Sequence, residues 1–306
     1  MKQLLILSGK GGTGKTTVAA AFIRLLDARS YADCDVDAPN LHLVTRHESP
    51  PEMRPFFGMP KAFIDRGKCA DCGICMEYCR FGAISDVNGH EVEPYACEGC
   101  GVCMLVCPYG AVELRDSVSG DLMLYRGKDI FSTAELRMGS GNSGLLVTEV
   151  KRQLKDEAVS EGIAIIDGSP GIGCPVIASI TGVDMVLIVT EPSLSGMSDL
   201  KRIVASARQF RTKVAVCINK ADTEQDIALS IESWCRSEGI PLAGRIPFDK
   251  KALEAVNRNL SIADIDCPSG NAARKVFEET MSLLMNEGDE SEYDRKGTDG
   301  QRISFR

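Results

Sequence analysis

Gly9-Lys10-Gly11-Gly12-Thr13-Gly14-Lys15-Thr16 follows the apolar run Gln3-Leu4-Leu5-Ile6-Leu7-Ser8 and opens residues 16–28, where Val18, Ala21, Phe22, Leu25 and Leu26 recur at helical spacing. Strand, glycine loop and helix in that order are the context in which Gly-x4-Gly-Lys-Thr binds phosphate. The backbone N–H groups of Gly11, Gly12, Thr13, Gly14, Lys15, Thr16 and Thr17 are expected to wrap the phosphates of ATP. Lys15 would reach the β and γ oxygens, and the Thr16 hydroxyl would hold Mg2+. A chance glycine turn would leave the flanking strand and helix unexplained.

Outward from this loop, a second short strand is expected to end at Ala32-Asp33-Cys34-Asp35-Val36-Asp37, with acidic residues emerging at its carboxyl end. Residues 48–60 contain Pro50, Pro51, Pro55 and Pro60 and read as a linker, since proline removes backbone donors. Beyond about Asp121, the turn signal Gly139-Ser140-Gly141-Asn142 predicts a helix over Ser143–Glu157. Buried-type strands are predicted at Ile163–Asp167, Met185–Thr190 and Lys213–Asn219, separated by helix-length segments. This alternation predicts an α/β fold with a mostly parallel sheet covered by helices on both faces. Past Asn286 the chain is polar and charged, and residues 286–306 read as a disordered tail.

Thirteen cysteines would suggest disulfides in a short secreted chain, but eight of them fall in two matched runs. These are Cys69-x2-Cys72-x2-Cys75-x3-Cys79 and Cys97-x2-Cys100-x2-Cys103-x3-Cys107-Pro108. In such runs three thiolates hold one 4Fe-4S cluster and the fourth reaches the other. Cys69, Cys72, Cys75 and Cys107 are therefore expected on one cluster, and Cys97, Cys100, Cys103 and Cys79 on the second. Structural zinc is the competing reading, but zinc sites rarely use this spacing and do not need it twice with crossed ligation. Arg80 follows Cys79 where a second proline is usual, and its charge would raise the potential of the nearby cluster. The sequence thus predicts an α/β domain over 1–60 and 117–285, interrupted by a small α+β ferredoxin-like insertion at 61–116.

A chain 44% hydrophobic and 25% charged is that of an ordinary globular protein. Its formal charge of -8 argues against a general nucleic-acid partner, which would need surplus Lys and Arg. No apolar run approaches the length needed to cross a bilayer, and the amino-terminal stretch leads straight into the glycine loop. A cytoplasmic protein without membrane attachment is expected.

Lys10, so early in the loop, resembles the deviant phosphate loop of the MinD, Mrp and nitrogenase iron protein group. The resemblance implies a homodimer with ATP sandwiched between subunits, the early lysine reaching the nucleotide of the other subunit. Asp35-Val36-Asp37-Ala38-Pro39-Asn40 resembles that group's first switch, which implies that Asp37 orients the attacking water and Asp35 lies near magnesium. Ile163 to Gly171, ending Asp167-Gly168-Ser169-Pro170-Gly171, resembles the second switch, implying Asp167 in the magnesium shell and Gly171 near the γ-phosphate. Asn219-Lys220-Ala221-Asp222 is similar to the adenine-side segment, with Ile246-Pro247-Phe248-Asp249 as its later partner. The arrangement from 1 to about 285 resembles MinD-superfamily ATPases carrying an inserted bacterial-type ferredoxin domain.

Cys174 lies at the offset from Asp167 where the nitrogenase iron protein has a cluster ligand. No second cysteine falls between Glu135 and Val150, so a small buried cysteine is the expectation. Cys34, Cys217, Cys235, Cys267 and Trp234 read as packing residues, and His42, His47 and His90 form no sequence cluster. The leading functional expectation is a Mg-dependent ATPase whose nucleotide state gates electron delivery through two 4Fe-4S clusters to a redox or metalloprotein partner. An Mrp-like cluster or metal carrier and a MinD- or ParA-like positioning ATPase are the alternatives.

Overall fold

The computed structural model describes residues 1–47, 49–158 and 161–286. In chain order, β1 (Lys2–Leu7) leads into α1 (Lys15–Leu26), β2 (Ser30–Asp33) and β3 (Glu52–Phe57). The cysteine-bearing stretch holds β4 (Lys61–Ile64), α2 (Ile74–Glu77), β5 (Ile84–Ser85), β6 (Glu91–Val92), α3 (Val102–Val106) and β7 (Val112–Arg115). Then come the hairpin β8 (Val118–Arg126) and β9 (Ile130–Leu136), α4 (Ser143–Glu157), β10 (Ile163–Asp167) and α5 (Cys174–Ile180). The rest is β11 (Met185–Thr190), α6 (Leu194–Gln209), β12 (Lys213–Asn219), α7 (Gln225–Ser237), β13 (Leu242–Ile246), α8 (Lys250–Asn257) and α9 (Pro268–Met285).

A nine-stranded sheet runs in the order β13-β12-β11-β1-β10-β2-β9-β8-β3. Neighbours from β13 through β9 are parallel, whereas β8 is antiparallel to β9 and to β3. The central strands are apolar on both faces because both are covered. Leu5 and Leu7 of β1 pack with Leu146, Val150, Val176, Leu200 and Ile231 on one side. Leu4 and Ile6 pack with Val18, Phe22, Val276 and Leu284 on the other. Burying a Leu or Ile side chain stabilises by roughly 1.5–3 kcal/mol, so β1 anchors both layers.

Residues 49–60 are not the uninterrupted linker expected of 48–60, since β3 occupies the middle of that stretch. Pro55 is accommodated because β3 lies at the sheet edge and pairs with β8 alone, Pro55 opposite Asp121. The expected tail lies outside the described residues from 287 onward.

β4 and β7 pair antiparallel with Lys61 opposite Arg115, so the chain leaves the large sheet and returns at adjacent points. Between them a separate small cluster packs Ala62, Ile64, Ala83, Ile84 and Val112 with Cys75 and Cys97. Among the described residues, no helix is long and apolar enough to cross a membrane.

Candidate functional site

The parallel strands deliver their carboxyl ends to one edge, where ligands bind in open α/β sheets. The glycine loop joins β1 to α1, with Gly14 at the helix N-cap in the left-handed region at φ 93°. A Cβ there would also come within 2.2 Å of the Asn219 amide nitrogen, so only glycine fits. The amides of Gly11, Gly12, Thr13 and Gly14 have no acceptor among the described residues, and the Thr13 hydroxyl is buried without a partner. Donors left open at a helix N-terminus suit phosphate oxygens.

Lys15 is buried and its Nζ lies 2.6 Å from Asp167 Oδ1 at the end of β10, while Thr16 Oγ1 donates to Asp167 Oδ2 at 2.7 Å. Burial works against the Lys15 charge. Asp167, Asp33 and Asp35 outweigh it, and its pKa stands above the ordinary lysine value. A hydroxyl and a carboxylate oxygen side by side are a donor pair suited to a hard cation such as Mg2+.

Asp33, at the end of β2 and opposite Asp167 in the ladder, was given no role by sequence reasoning. It is fully buried and accepts the amides of Asp35, Asn40 and Leu41 at 3.0, 2.9 and 3.0 Å, which ties down the loop carrying Asp35 and Asp37. Burial and the nearby Asp167 raise its pKa to about 7, against the pull of Lys15. The alternation of acids at 33, 35 and 37 was the signal for it, because position 33 still lies within the strand. Asp35 is half-buried, with burial raising its pKa to about 6. Asp37 is exposed on the same loop. Gly171 (φ 101°) donates its amide to Ser8 O at 2.9 Å, which brings the two loops flanking β1 and β10 together.

Lys10 Nζ lies 2.6 Å from Glu191 of its own chain, with Ser193 and Ser195 hydroxyls at 3.4 and 3.1 Å. Glu191 also takes Lys220 Nζ at 3.2 Å, and Lys220 donates to Gly12 O at 2.8 Å. Asn219 Nδ2 donates to Thr13 O at 2.7 Å, so it props the glycine loop. Its segment is joined to the later one, Ala221 donating to Ile246 O and Asp222 accepting from the Phe248 amide at 2.6 Å. Lys220 was quoted only as part of the adenine-side segment, and its contacts with Gly12 and Glu191, far away in the chain, carry no local signal.

In the cysteine-bearing stretch, Cys72-Gly73-Ile74-Cys75 and Cys100-Gly101-Val102-Cys103 have the same form, each glycine capping a short helix at φ 76° and 75°. Cys69, Cys72, Cys75 and Cys107 line one cavity. Cys79, Cys97, Cys100 and Cys103 line a second. Backbone amides point at the sulfurs, Ala83 to Cys79 at 3.4 Å, Ala111 to Cys107 at 3.3 Å and Gly99 to Cys97 at 3.4 Å. Burial pushes the Cys107 thiol up, but the amides of Ala111, Tyr109, Val112 and Gly110 prevail and hold it below its ordinary value. Four thiols around an apolar cavity with amides directed at sulfur suit an iron-sulfur cubane.

Cys174 does not have the buried position expected of it. It lies exposed in the first turn of α5, ahead of the buried face that begins at Val176. Cys34, Cys217, Cys235 and Cys267 are buried as packing residues, and Trp234 is half-buried against the core. His47 stacks on Phe131 at 5.0 Å and Tyr125 at 4.2 Å. His90 is buried beside the first cysteine cavity.

Loop, Lys15, Thr16 and Asp167 at the carboxyl edge of a parallel sheet define a P-loop nucleotide-binding protein. The CobQ/CobB/MinD/ParA nucleotide binding domain family matches residues 4–262, and the chain belongs to that family of P-loop ATPases. An uncharacterized protein of Methanocaldococcus jannaschii is 32% identical over 92% of this chain and 97% of its own length. An iron-sulfur cluster carrier protein of Pyrococcus abyssi is 25% identical over 94% of this chain and 88% of its own. Among solved structures, the septum site-determining protein MinD of Pyrococcus horikoshii, complexed with Mg-ADP, superposes with TM-score 0.55 at 16% identity, covering 93% of this chain and 97% of that one. That likeness establishes the shared α/β fold.

Proposed function

We propose that this ATPase works as a homodimer in which ATP binding and hydrolysis control electron passage through two 4Fe-4S clusters held by a ferredoxin-like domain at 61–116. The observation that supports this most is the division of the eight cysteines into two cavities, each lined by three thiols of one run and one of the other. Bound clusters with all-cysteine ligation supply low-potential one-electron chemistry.

The chain's own residues supply the switching. Lys15 and Thr16 are both engaged by Asp167, so nucleotide phosphate and Mg2+ take over contacts that already exist. Lys15 would leave Asp167 for the β and γ oxygens, Asp167 would turn to the magnesium shell, and Asp37 would orient the attacking water. Lys10 would leave Glu191 for the nucleotide of the second copy.

Movement of the loop after Asp167 would have a route through α4 toward the cysteine-bearing stretch. Gly144, at the start of α4, lies so close to Cys174 that a Cβ would meet its carbonyl oxygen at 3.2 Å. Just ahead of α4, a Cβ on Gly139 would meet the Tyr95 ring at 3.0 Å, two residues before Cys97. A shift of α5 would therefore be passed through α4 to Tyr95, in the lead-in to Cys97. Exposed Met104, Leu105 and Tyr109 beside Cys103 and Cys107 offer an apolar surface for a redox partner.

Anaerobic purification with iron and sulfide analysis tests the cluster reading, and zinc in place of iron would overturn it. A cluster carrier is the second reading, favoured by the name of the Pyrococcus abyssi relative and by the exposure of Cys72 and Cys100. Incubating the iron-loaded protein with an apo acceptor separates the two: retention of iron supports the electron-transfer reading, and rapid transfer supports the carrier.

A further inference from the structure

The cysteine-bearing stretch is built from two copies of one pattern. Cys69, Cys72, Cys75 and Cys79 recur at a constant offset as Cys97, Cys100, Cys103 and Cys107, and Phe81-Gly82-Ala83 recurs as Tyr109-Gly110-Ala111. The hydrogen bonds repeat with them. The Asp65 amide donates to Ala111 O at 2.7 Å and the Glu93 amide to Ala83 O at 2.8 Å, while Asp65 O and Glu93 O take the Cys69 and Cys97 amides at 3.0 Å each. Lys61 of the first copy breaks the symmetry, because its counterpart in the second is Gly89. The half-buried Lys61 crosses to the second copy and donates from Nζ to Cys97 O, while the next amide, that of Ala62, points at Cys97 Sγ at 3.5 Å. Among the described residues no carboxylate pairs with Lys61. At Gly89 the place of that side chain is taken by the Arg66 guanidinium, 2.0 Å from where a Cβ would stand. Arg66 is already paired, with Glu91 at 3.2 Å and Asp71 at 3.6 Å. The same position in the two copies thus gives Cys97 an unbalanced cation and Cys69 a balanced one.

We infer that Lys61 tunes the second cluster: its ammonium, held on the Cys97 carbonyl, raises that cluster's potential and leaves the first nearly untouched. A lysine ammonium is a full positive charge at neutral pH, and one held partly out of water is screened less than one in open solvent. Reduction by one electron makes a cluster more negative by one charge, so a nearby cation favours the reduced form. Glu98, next to Cys97, does not cancel it, because that exposed carboxylate is turned toward Gly141, Oε2 lying 4.0 Å from where a Cβ would stand. Arg80, beside Cys79, has the same sign as Lys61 but is exposed, and water weakens its effect. The inference rests on the cluster reading proposed above.

The test uses the full chain purified anaerobically, with clusters quantified by iron and sulfide and followed by EPR redox titration. Cys97→Ser, in which oxygen replaces one sulfur, marks the signal of the second cluster by altering or removing it. In Lys61→Gln, which keeps an N–H donor for the Cys97 carbonyl but no charge, the midpoint of the marked signal is expected to fall and the other to move less. Lys61→Met is expected to show the same fall, and Lys61→Arg, which keeps the charge, to stay near wild type. Unchanged potentials in Lys61→Gln, equal shifts in both clusters, or a fall confined to the unmarked signal would each overturn the inference. So would a fall in Lys61→Met that Lys61→Gln does not share, since Lys61 would then be a tether for the backbone only. If Lys61→Gln fails to hold iron, Lys61→Met against Lys61→Arg decides. Absence of iron and sulfide from the wild-type protein would instead sink the cluster reading itself.

Discussion

The glycine-loop edge and the cysteine-bearing stretch prepare for their ligands in opposite ways. At the loop the charges are already paired within the chain, Lys15 on Asp167 and Lys10 on Glu191, above a core packed on both sheet faces. On the proposed reading a nucleotide there would replace internal contacts and so act as a switch. In the cysteine stretch the thiols face cavities, and the small apolar cluster around them includes two of the cysteines themselves. On the proposed reading the clusters complete that stretch's core, and its fold would depend on them as that of small metal domains does.

Stripping iron therefore breaks the comparison open most widely. Amides of residues 61–115 are expected to exchange with solvent faster by about a hundredfold or more once metal is removed, while β1, β10 and β11 keep their protection. Hydrogen exchange read by mass spectrometry checks this, and uniform protection throughout would remove the distinction.

Next in size is Lys15→Ala. Loss of the phosphate contact is expected to cut hydrolysis by about a hundred- to a thousandfold. Because Asp167 is fully buried, the variant is also expected to lose about 3 kcal/mol against urea. The iron content of the cysteine stretch should be unchanged, which sharpens the separation of the two regions.

A smaller effect comes from His47. Burial lowers its pKa to about 4, with the nearby His42 charge contributing. An unfolded histidine titrates near 6.5, so the unfolded state binds more protons between those values. Stability from this residue is full above about pH 6.5 and falls as pH drops toward 4. Trp234 fluorescence in urea should show that acid limb, and His47→Phe should flatten it.

The sequence was legible where one local signal carried the whole message. Ile163–Asp167, Met185–Thr190, Lys213–Asn219 and the helix Ser143–Glu157 match because buried apolar runs and a glycine-rich lead-in leave few alternatives. β3 was hidden by Pro55, since being an edge strand is a property of the assembled sheet rather than of the segment. Asp33 was hidden for a similar reason: its partners, the amides of Asn40 and Leu41, meet it only once the loop has folded back. The Lys10–Glu191 contact and the exposure of Cys174 depend on residues far apart in the chain. The eight cysteines were visible as two runs, but the contrast between their cavities rests on Lys61, which no spacing connects to Cys97.

The central claim is that nucleotide at one region alters the clusters of the other. An anaerobic EPR redox titration of one preparation, run with and without MgATP, tests it most directly. The account expects at least one cluster to change its midpoint potential or line shape when MgATP binds, the one held by Cys97 first, since Tyr95 at the end of the route through α4 lies two residues before it. Identical spectra and potentials in the two conditions, in protein that binds and hydrolyses ATP, would contradict it.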